Sequence, residues 1–441
     1  MIKQYLNKFV IQSGVLNFCV LLIMLLSLPA YCDESKGKLR LTIIDENGKI
    51  VPARVEITGS DGLGYIAKDA LPAGGDCDNS SAWSNKDAIF YDFEQSLAKL
   101  SKTVHSPFSK IDQFYSTGQS EIDLPEGTAR IKIMKGPEYY LGESQVDIEA
   151  GKSISKTITL FRWANMPKQG WYSADDHLHI ARSVKELNPF VLKMMQAEDV
   201  HVGNLVQAGN EASFPLAPQY AHGIKGRYQR GNHLLAAGQE NPRTHILGHA
   251  LTLGADEALR GSENYLIYRL LWEKAKKQGA ISGMAHMSQY GDGAFGITLN
   301  LPHNLINFIE ILQLNTSDYR EWYDALNLGF RITPTAGSDY PCITSLPGNE
   351  RFYTRVKGDL TYDNWLKSVR EGRTFVTTGP ILEFEINGQN IGDEIKLEKS
   401  SMVTIKGSVR FDKQRDDLKR IELIENGEVI SSIPRIGDAE E

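Results

Sequence analysis

The chain has 441 residues, of which 41% are hydrophobic and 23% charged, so it can bury a large core and divide into roughly two to three domains. Its formal charge is −7, with no run of Lys and Arg interleaved with aromatics, which speaks against a nucleic-acid partner.

The first 32 residues differ in kind from the rest. Lys3 and Lys8 precede the apolar run VLNFCVLLIMLLSLPA, after which Asp33, Glu34 and Ser35 open a polar chain. The run is shorter than the ~20 residues of a spanning helix, and small residues at Ala30 and Cys32 suit cleavage after Cys32, so the segment reads as a signal peptide. Two alternatives stay open: an uncleaved anchor helix beginning as early as Phe9, and a lipoprotein site at Cys32, against which the bulk of Tyr31 argues. The expectation is an exported protein, periplasmic or extracellular, with no stable membrane span after cleavage. Of the four cysteines, Cys77 and Cys342 remain, and export permits them to pair; a free thiol is the alternative.

From Lys38 the text KLRLTIIDENGKIVPARVEI alternates apolar and polar residues around the turn signal ENG, a hairpin signature. After a polar, irregular insertion at about 71–116 the β pattern resumes as SEIDLPEGTARIKIM and SQVDIEAGKSISKTITL, ending near Trp163. Residues 38–163 therefore read as a small β-domain, with NMPKQG as linker. From Gly170 the rhythm changes. Apolar spacing of three and four predicts helices at 184–198, 263–278, 319–328 and 362–371, and short apolar runs between them read as strands. Alternation of strand and helix over 170–380 predicts a parallel α/β sheet or barrel. After Pro380, ILEFEINGQNIGDEI and MVTIKGSVRF read as a closing β segment over 381–441.

The chemistry gathers around GWYSADDHLHI. In a strand, side chains two apart share a face, so His177 and His179 present two imidazoles ~6.6 Å apart at the Cα level, a geometry that clamps one ion. A lone pair of histidines is a weak signal. Four more ligand-type residues strengthen it: Glu240 ends HLLAAGQE, His249 lies in ILGHALTLG, His286 is near the end of ISGMAHM, and Asp339 ends RITPTAGSD. Apolar strands seldom carry such groups into a core without a partner, because an unpaired buried charge costs several kcal/mol. A divalent cation satisfies all six at once. Imidazole and carboxylate without thiolate suit Zn, Mn or Fe. Each residue also has a plainer reading: His249 as a core histidine bonded to a carbonyl, Glu240 as the ion-pair partner of Arg243. Asp175, two residues before His177, is a candidate to orient a ligand ring, and Asp176 reads as a turn or sheet residue. His105, His201, His245 and His303 read as solvent or loop residues. His222 and His233 flank GIKGRYQRGN, a basic loop that either holds an anionic substrate group or is a solvated flap.

Together, GWYSADDHLH, GQE…GHALTLG, GMAHM, TAGSDY and VREGRTFVTTGPILEFEING resemble the PHP-type metallohydrolases, specifically the CehA/McbA-like branch, in order and spacing across 170–391. The resemblance implies a distorted, TIM-related α/β barrel with a metal-activated water at the strand C-termini. It implies a leading β-sandwich like transthyretin or a carboxypeptidase regulatory domain. His177, His179, Glu240, His249, His286 and Asp339 become the metal-site positions, for one or two ions of Zn or Mn. Two departures matter. Pro341 stands where the family carries a histidine after Gly-Ser-Asp, with Cys342 next to it as a substitute ligand or disulfide partner. In GNLVQAGNE, Asn204, Gln207 and Asn210 are neutral amides where acidic or histidine ligands often stand. The expected function is an exported metal-dependent hydrolase of ester, carbamate or phosphoester bonds in a small-molecule or anionic substrate. Asp339 is then the general base and His286 the reserve. The rival reading is a catalytically degenerate secreted barrel that binds glycan or protein.

Overall fold

The structure is a computed structural model that describes residues 35–73, 101–209, 216–260, 265–286, 293–313, 316–317, 319–343 and 345–434. The expected signal peptide, Cys77 and Asn210 lie outside the described residues.

Seven strands come first: β1 Lys36–Asp45, β2 Ala53–Thr58, β3 Gln113–Ser116, β4 Gln119–Pro125, β5 Gly127–Met134, β6 Gly142–Ile148 and β7 Ser153–Leu160. They make two sheets, ordered β4-β1-β7 and β3-β2-β5-β6. The alternation in β1 turns Leu39, Leu41 and Ile43 inward, where they meet Val55 and Ile57 of β2 and Ile131 and Ile133 of β5 in one core. β3 lies within the stretch read as irregular insertion. Its four residues are all buried, so it shows no alternation for sequence reasoning to find.

The next strands are β8 Trp171–Leu178, β9 Val202–Ala208, β10 Tyr228–Arg230, β11 His233–Thr244, β12 Gly248–Leu253, β13 Ile281–Met284, β14 Phe308–Gln313, β15 Thr316–Ser317, β16 Thr333–Ala336, β17 Arg351–Arg355 and β18 Thr374–Thr377. All belong to one 11-stranded sheet with the main order β15-β14-β13-β12-β11-β9-β8-β17-β18. The sheet nearly closes on itself: β16 pairs with β14 on one side, and Tyr340, just beyond it, bridges Leu178 of β8 on the other. The helices are short: α1 Asn188–Ala197, α2 Tyr268–Lys277, α3 Gly293–Asn300, α4 Arg320–Asn327 and α5 Tyr362–Arg370.

The protein is therefore mostly β with a nearly closed, barrel-like sheet and few, short helices: the barrel form of the expected distorted α/β barrel is present, while its helix content is lower than expected. The physical reason is local. β11 turns into its antiparallel neighbour β12 through residues 245–247, which needs no crossover helix, while β12–β13 and β17–β18, also antiparallel, are joined through the short α2 and α5. α3 has no counterpart among the predicted helices, because GAFGITLN carries two glycines and no charged face. A last group follows: β19 Ile381–Ile386, β20 Gln389–Asn390, β21 Ile405–Arg410, β22 Arg420–Glu425 and β23 Glu428–Pro434. It makes one three-stranded and one two-stranded sheet. Among the described residues, no helix is long and apolar enough to cross a membrane.

Pairing directions decide where side chains meet. β8, β9, β11, β13, β14 and β16 run one way, and β12 runs against them. The C-terminal ends of six strands and the N-terminal end of β12 thus share one rim. Behind that rim, α1 packs against β2, β3 and β11 and ties the β3-β2-β5-β6 sheet to the barrel. Its C-cap residue Glu198 accepts from Arg54 of β2 at 2.6 Å and from the Tyr115 hydroxyl at 3.1 Å, all three side chains buried. Arg54→Met leaves the Glu198 charge buried without its cation and is expected to cost about 3–5 kcal/mol in urea unfolding, whereas the double change with Glu198→Leu recovers much of that loss. Equal loss in the single and double variants would remove the pair from its supporting role.

Candidate metal centre

Each of the six predicted positions reaches the shared rim. His177 and His179 come from the end of β8, Glu240 from β11, His249 from the start of β12, His286 from just past β13 and Asp339 from just past β16. All are at most 9% exposed. Two features of the backbone direct them. The register of β8 against β9 shifts between Asp175 and Leu178, a bulge that lets the histidine pair turn toward the rim. His286 and Asp339 hold φ of 30° and 54°, the left-handed region that non-glycine residues seldom adopt and that functional sites retain.

The carboxylate of Glu240 stands at the centre. Its Oε2 lies 3.3 Å from His179 Nε2 and 3.7 Å from His177 Nε2. Its Oε1 lies 2.6 Å from His249 Nδ1 and 3.3 Å from His286 Nε2. Asp339 Oδ1 completes the first group, 3.2 Å from His179 Nε2 and 3.6 Å from His177 Nε2. The arrangement is two adjacent clusters, His177, His179, Glu240 and Asp339 on one side and Glu240, His249 and His286 on the other, sharing one carboxylate.

Tautomers test whether a cation fits. His179 Nδ1 is 3.0 Å from the Val206 carbonyl, which can only accept, so Nδ1 carries the proton and Nε2 a lone pair. His177 Nδ1 faces the Glu310 carboxylate at 3.1 Å, which places its proton there in the same way. The two Nε2 atoms are then 3.1 Å apart with lone pairs converging, a repulsive contact unless a positive charge lies between them. Glu240 Oε2 is buried and accepts no hydrogen bond although both rings and Arg243 Nε are near it. These donors fit a divalent ion. Burial opposes charging His177, yet Glu310, Asp339 and Glu240 outweigh it and raise its affinity for a proton well above that of an ordinary imidazole. Burial likewise opposes ionising Glu240, but His177, His179 and His249 hold its carboxyl well below the usual range. The same field that draws a proton draws a metal cation.

The supports differ from those expected. Asp175 does not touch a ligand ring. Its carboxylate accepts from the backbone N–H groups of His177, Ser338 and Gly348 and from the Ser338 hydroxyl, at 2.6–3.1 Å, fixing the β8 bulge to the turn that carries Asp339. Burial pushes its carboxyl up to about 6, and these donors hold it from rising further. The ring-orienting role falls to Glu310 of β14, which faces His177 Nδ1 and accepts the His286 backbone N–H at 2.7 Å. Sequence reasoning missed Glu310, although a glutamate inside the apolar strand NFIEILQL carries the same signal that singled out Glu240. Burial, and then the neighbouring Glu310, raise the Asp176 carboxyl well above the usual carboxylate range.

Other expectations divide. Asn204 bonds the Asp175 carbonyl and Tyr362, and Gln207 bonds the Gln219 backbone and His222, so these amides serve the scaffold. Cys342 stands close to His179 and Asp339 but is disulfide-bonded, so it offers no thiolate. Arg227 pairs with Asp363 and lies over Tyr362, and Arg230 lies over Tyr228; Arg243 is the cation beside the cluster. His201, read as a solvent or loop residue, is 2% exposed.

Gly337 leaves no room for a side chain. A Cβ there meets His177 Cβ at 2.4 Å and Glu310 Oε1 at 2.7 Å. Gly337→Ala is expected to displace the His177 ring and lower bound metal at least about tenfold in affinity, the size of losses from disturbed ligand supports. Metal titration of the folded variant checks this, and unchanged affinity would show that Gly337 does not set the ring position.

No family model matches the chain, and no curated protein matches it. Among solved structures, the chain is similar to a two-domain protein containing a predicted PHP-like metal-dependent phosphoesterase from Bacteroides vulgatus. Identity there is 13%, covering 47% of this chain and 65% of that one, with a TM-score of 0.35. PsfC from Pseudomonas syringae matches at 13% identity over 47% of this chain and 91% of that one, with a TM-score of 0.30. The lesion-specific endonuclease PfuEndoQ from Pyrococcus furiosus matches at 14% over 46% and 56%, with a TM-score of 0.29. The chain spans less than two thirds of the Bacteroides and Pyrococcus proteins. Scores this low establish no shared activity, and the functional reading rests on the side chains.

Proposed function

We propose that the protein is an exported metal-dependent hydrolase of the PHP type, acting through one or two divalent ions, Zn or Mn, on an ester, carbamate or phosphoester bond. The observation that carries this reading is the Glu240 carboxylate, whose two oxygens face two separate sets of imidazole nitrogens. When bound, the metal supplies the positive charge that makes a water acidic near neutral pH and polarises the bond to be cleaved.

The chain's own residues do the rest. With a cation bound, His177 and His179 would present unprotonated Nε2 atoms to one place, oriented by Glu310 and by the Val206 carbonyl. Asp339 is the proposed general base. Burial opposes its charge, but His177 and His179 hold its carboxyl below the ordinary range, so it is ionised and can accept a proton. His286 is the reserve acceptor on the other side of Glu240. Arg243, 3.0 Å from Glu240, places a fixed cation at the rim and tilts the choice toward substrates with an anionic, phosphoryl-like group. The disulfide at Cys342 and the signal-like N-terminus both support an oxidising, exported setting.

The test uses chelator-stripped protein reloaded with Zn or Mn and assayed on a panel of esters, carbamates and phosphoesters. Turnover of one class is expected, abolished by stripping and reduced at least about a hundredfold by His177→Ala or Glu240→Gln, in keeping with the loss of a metal ligand. Stoichiometric metal with no turnover on any class would favour the binding-module reading, and absence of metal in the native chain would sink the hydrolase.

A further inference from the structure

We propose that Asp199, His201 and His233 form a second, structural metal site for a borderline divalent ion such as Zn, at the end of the barrel opposite the Glu240 cluster. His201 immediately precedes β9 and His233 opens β11, so both sit at the N-terminal ends of neighbouring parallel strands. The Glu240 rim lies at the other end, since Val206, which anchors the His179 ring, is five residues further along β9, about 16 Å at strand rise.

One ligand atom from each of the three side chains lies within 4.8 Å of the others. Two of these groups have polar atoms that nothing satisfies: Asp199 Oδ2 and His233 Nε2 are buried and take part in no hydrogen bond. Asp199 is itself only 2% exposed. The third follows from hydrogen-bond direction. The Ser173 hydroxyl donates to the Asp199 carbonyl at 2.5 Å, so its contact with His201 Nδ1 at 2.9 Å has the ring nitrogen donating. His201 Nε2 then carries a free lone pair. A buried carboxylate oxygen and two imidazoles without acceptors or donors to spare are a donor set that lacks its acceptor of electrons.

The surroundings select the kind of ion. Arg162 holds Asp199 Oδ1 at 2.9 Å and Glu138 Oε2 at 2.6 Å, and the buried Lys135 ammonium bonds the Pro52 carbonyl at 3.0 Å. Cations bound mainly by charge, such as Mg and Ca, gain little beside Arg162 and find too few oxygens. Zn, Co or Ni, bound largely through imidazole nitrogen, tolerate such a place. All three ligands lie at the foot of the barrel, and Asp199 is also held by Arg162, which follows β7, so an ion here would fix the carboxylate that joins the first β sheets to the barrel.

The full-length chain, stripped and then titrated with Zn alone, is expected to bind one equivalent more than the Glu240 cluster holds and to gain thermal stability from it. His233→Asn should lose one equivalent and that gain in Tm. His249→Ala should lose metal from the other site and keep the gain. Co loading adds a visible absorption band that His233→Asn should remove in part. If His233→Asn fails to fold, anomalous diffraction from native crystals grown with Zn decides: a peak between Asp199, His201 and His233 is expected. No peak there, or a folded His233→Asn that retains all its Zn and its full stabilisation, overturns the proposal. Neither readout requires turnover, so the outcome is independent of the hydrolase reading.

Discussion

The convergence of imidazole lone pairs and carboxylates on Glu240 is the constraint around which the barrel is arranged. Burying that much polarity in a low-dielectric rim is unfavourable unless a cation or protons neutralise it, and the cost sets strict demands on everything nearby. β8 bulges between Asp175 and Leu178, His286 and Asp339 take left-handed backbone, and Gly337 gives up its side chain so that His177 can sit against Glu310. Each is locally unfavourable and is sustained by the surrounding hydrogen bonds, among them the four that Asp175 accepts.

The strand order explains how six residues from five segments meet. Parallel strands bring their C-terminal ends to one edge, and the reversed β12 contributes from its beginning, so His249 reaches the same place as Glu240 by a different route. That reversal removes one crossover: β12 follows β11 directly through residues 245–247, whereas β12–β13 and β17–β18, though antiparallel, are still joined through α2 and α5.

Much of the site was legible because ligand-type residues inside apolar strands violate the usual binary pattern. The six positions were found on that signal, and the structure gathers them on one rim. Glu310 and Asp199 were not found. Glu310 shows the signal but stood alone in its segment, and Asp199 precedes its strand, where an aspartate is ordinary. His201 was read as a solvent or loop residue and His233 as the flank of a basic loop, because each lies at a strand boundary, where burial depends on packing distant in sequence; His201 is buried. Fold class was less legible than chemistry. Short apolar runs are ambiguous between parallel and antiparallel pairing, and only register, which no local pattern encodes for β12 or β17, separates the two.

The hairpin of β11 and β12 has a consequence for how the site is assembled. Glu240 and His249 are nine residues apart and meet through local pairing, whereas the link from Asp175 to Ser338 that positions Asp339 joins residues 163 apart. Local contacts form early in folding and distant ones late, because loop closure must precede the reward. The Glu240–His249 contact can thus form within one hairpin, whereas His286 joins it only from β13 and Asp339 only once β16 has swung back to β8. A partly folded molecule would hold some of these side chains without the complete cluster, so the cluster is a property of the closed barrel alone.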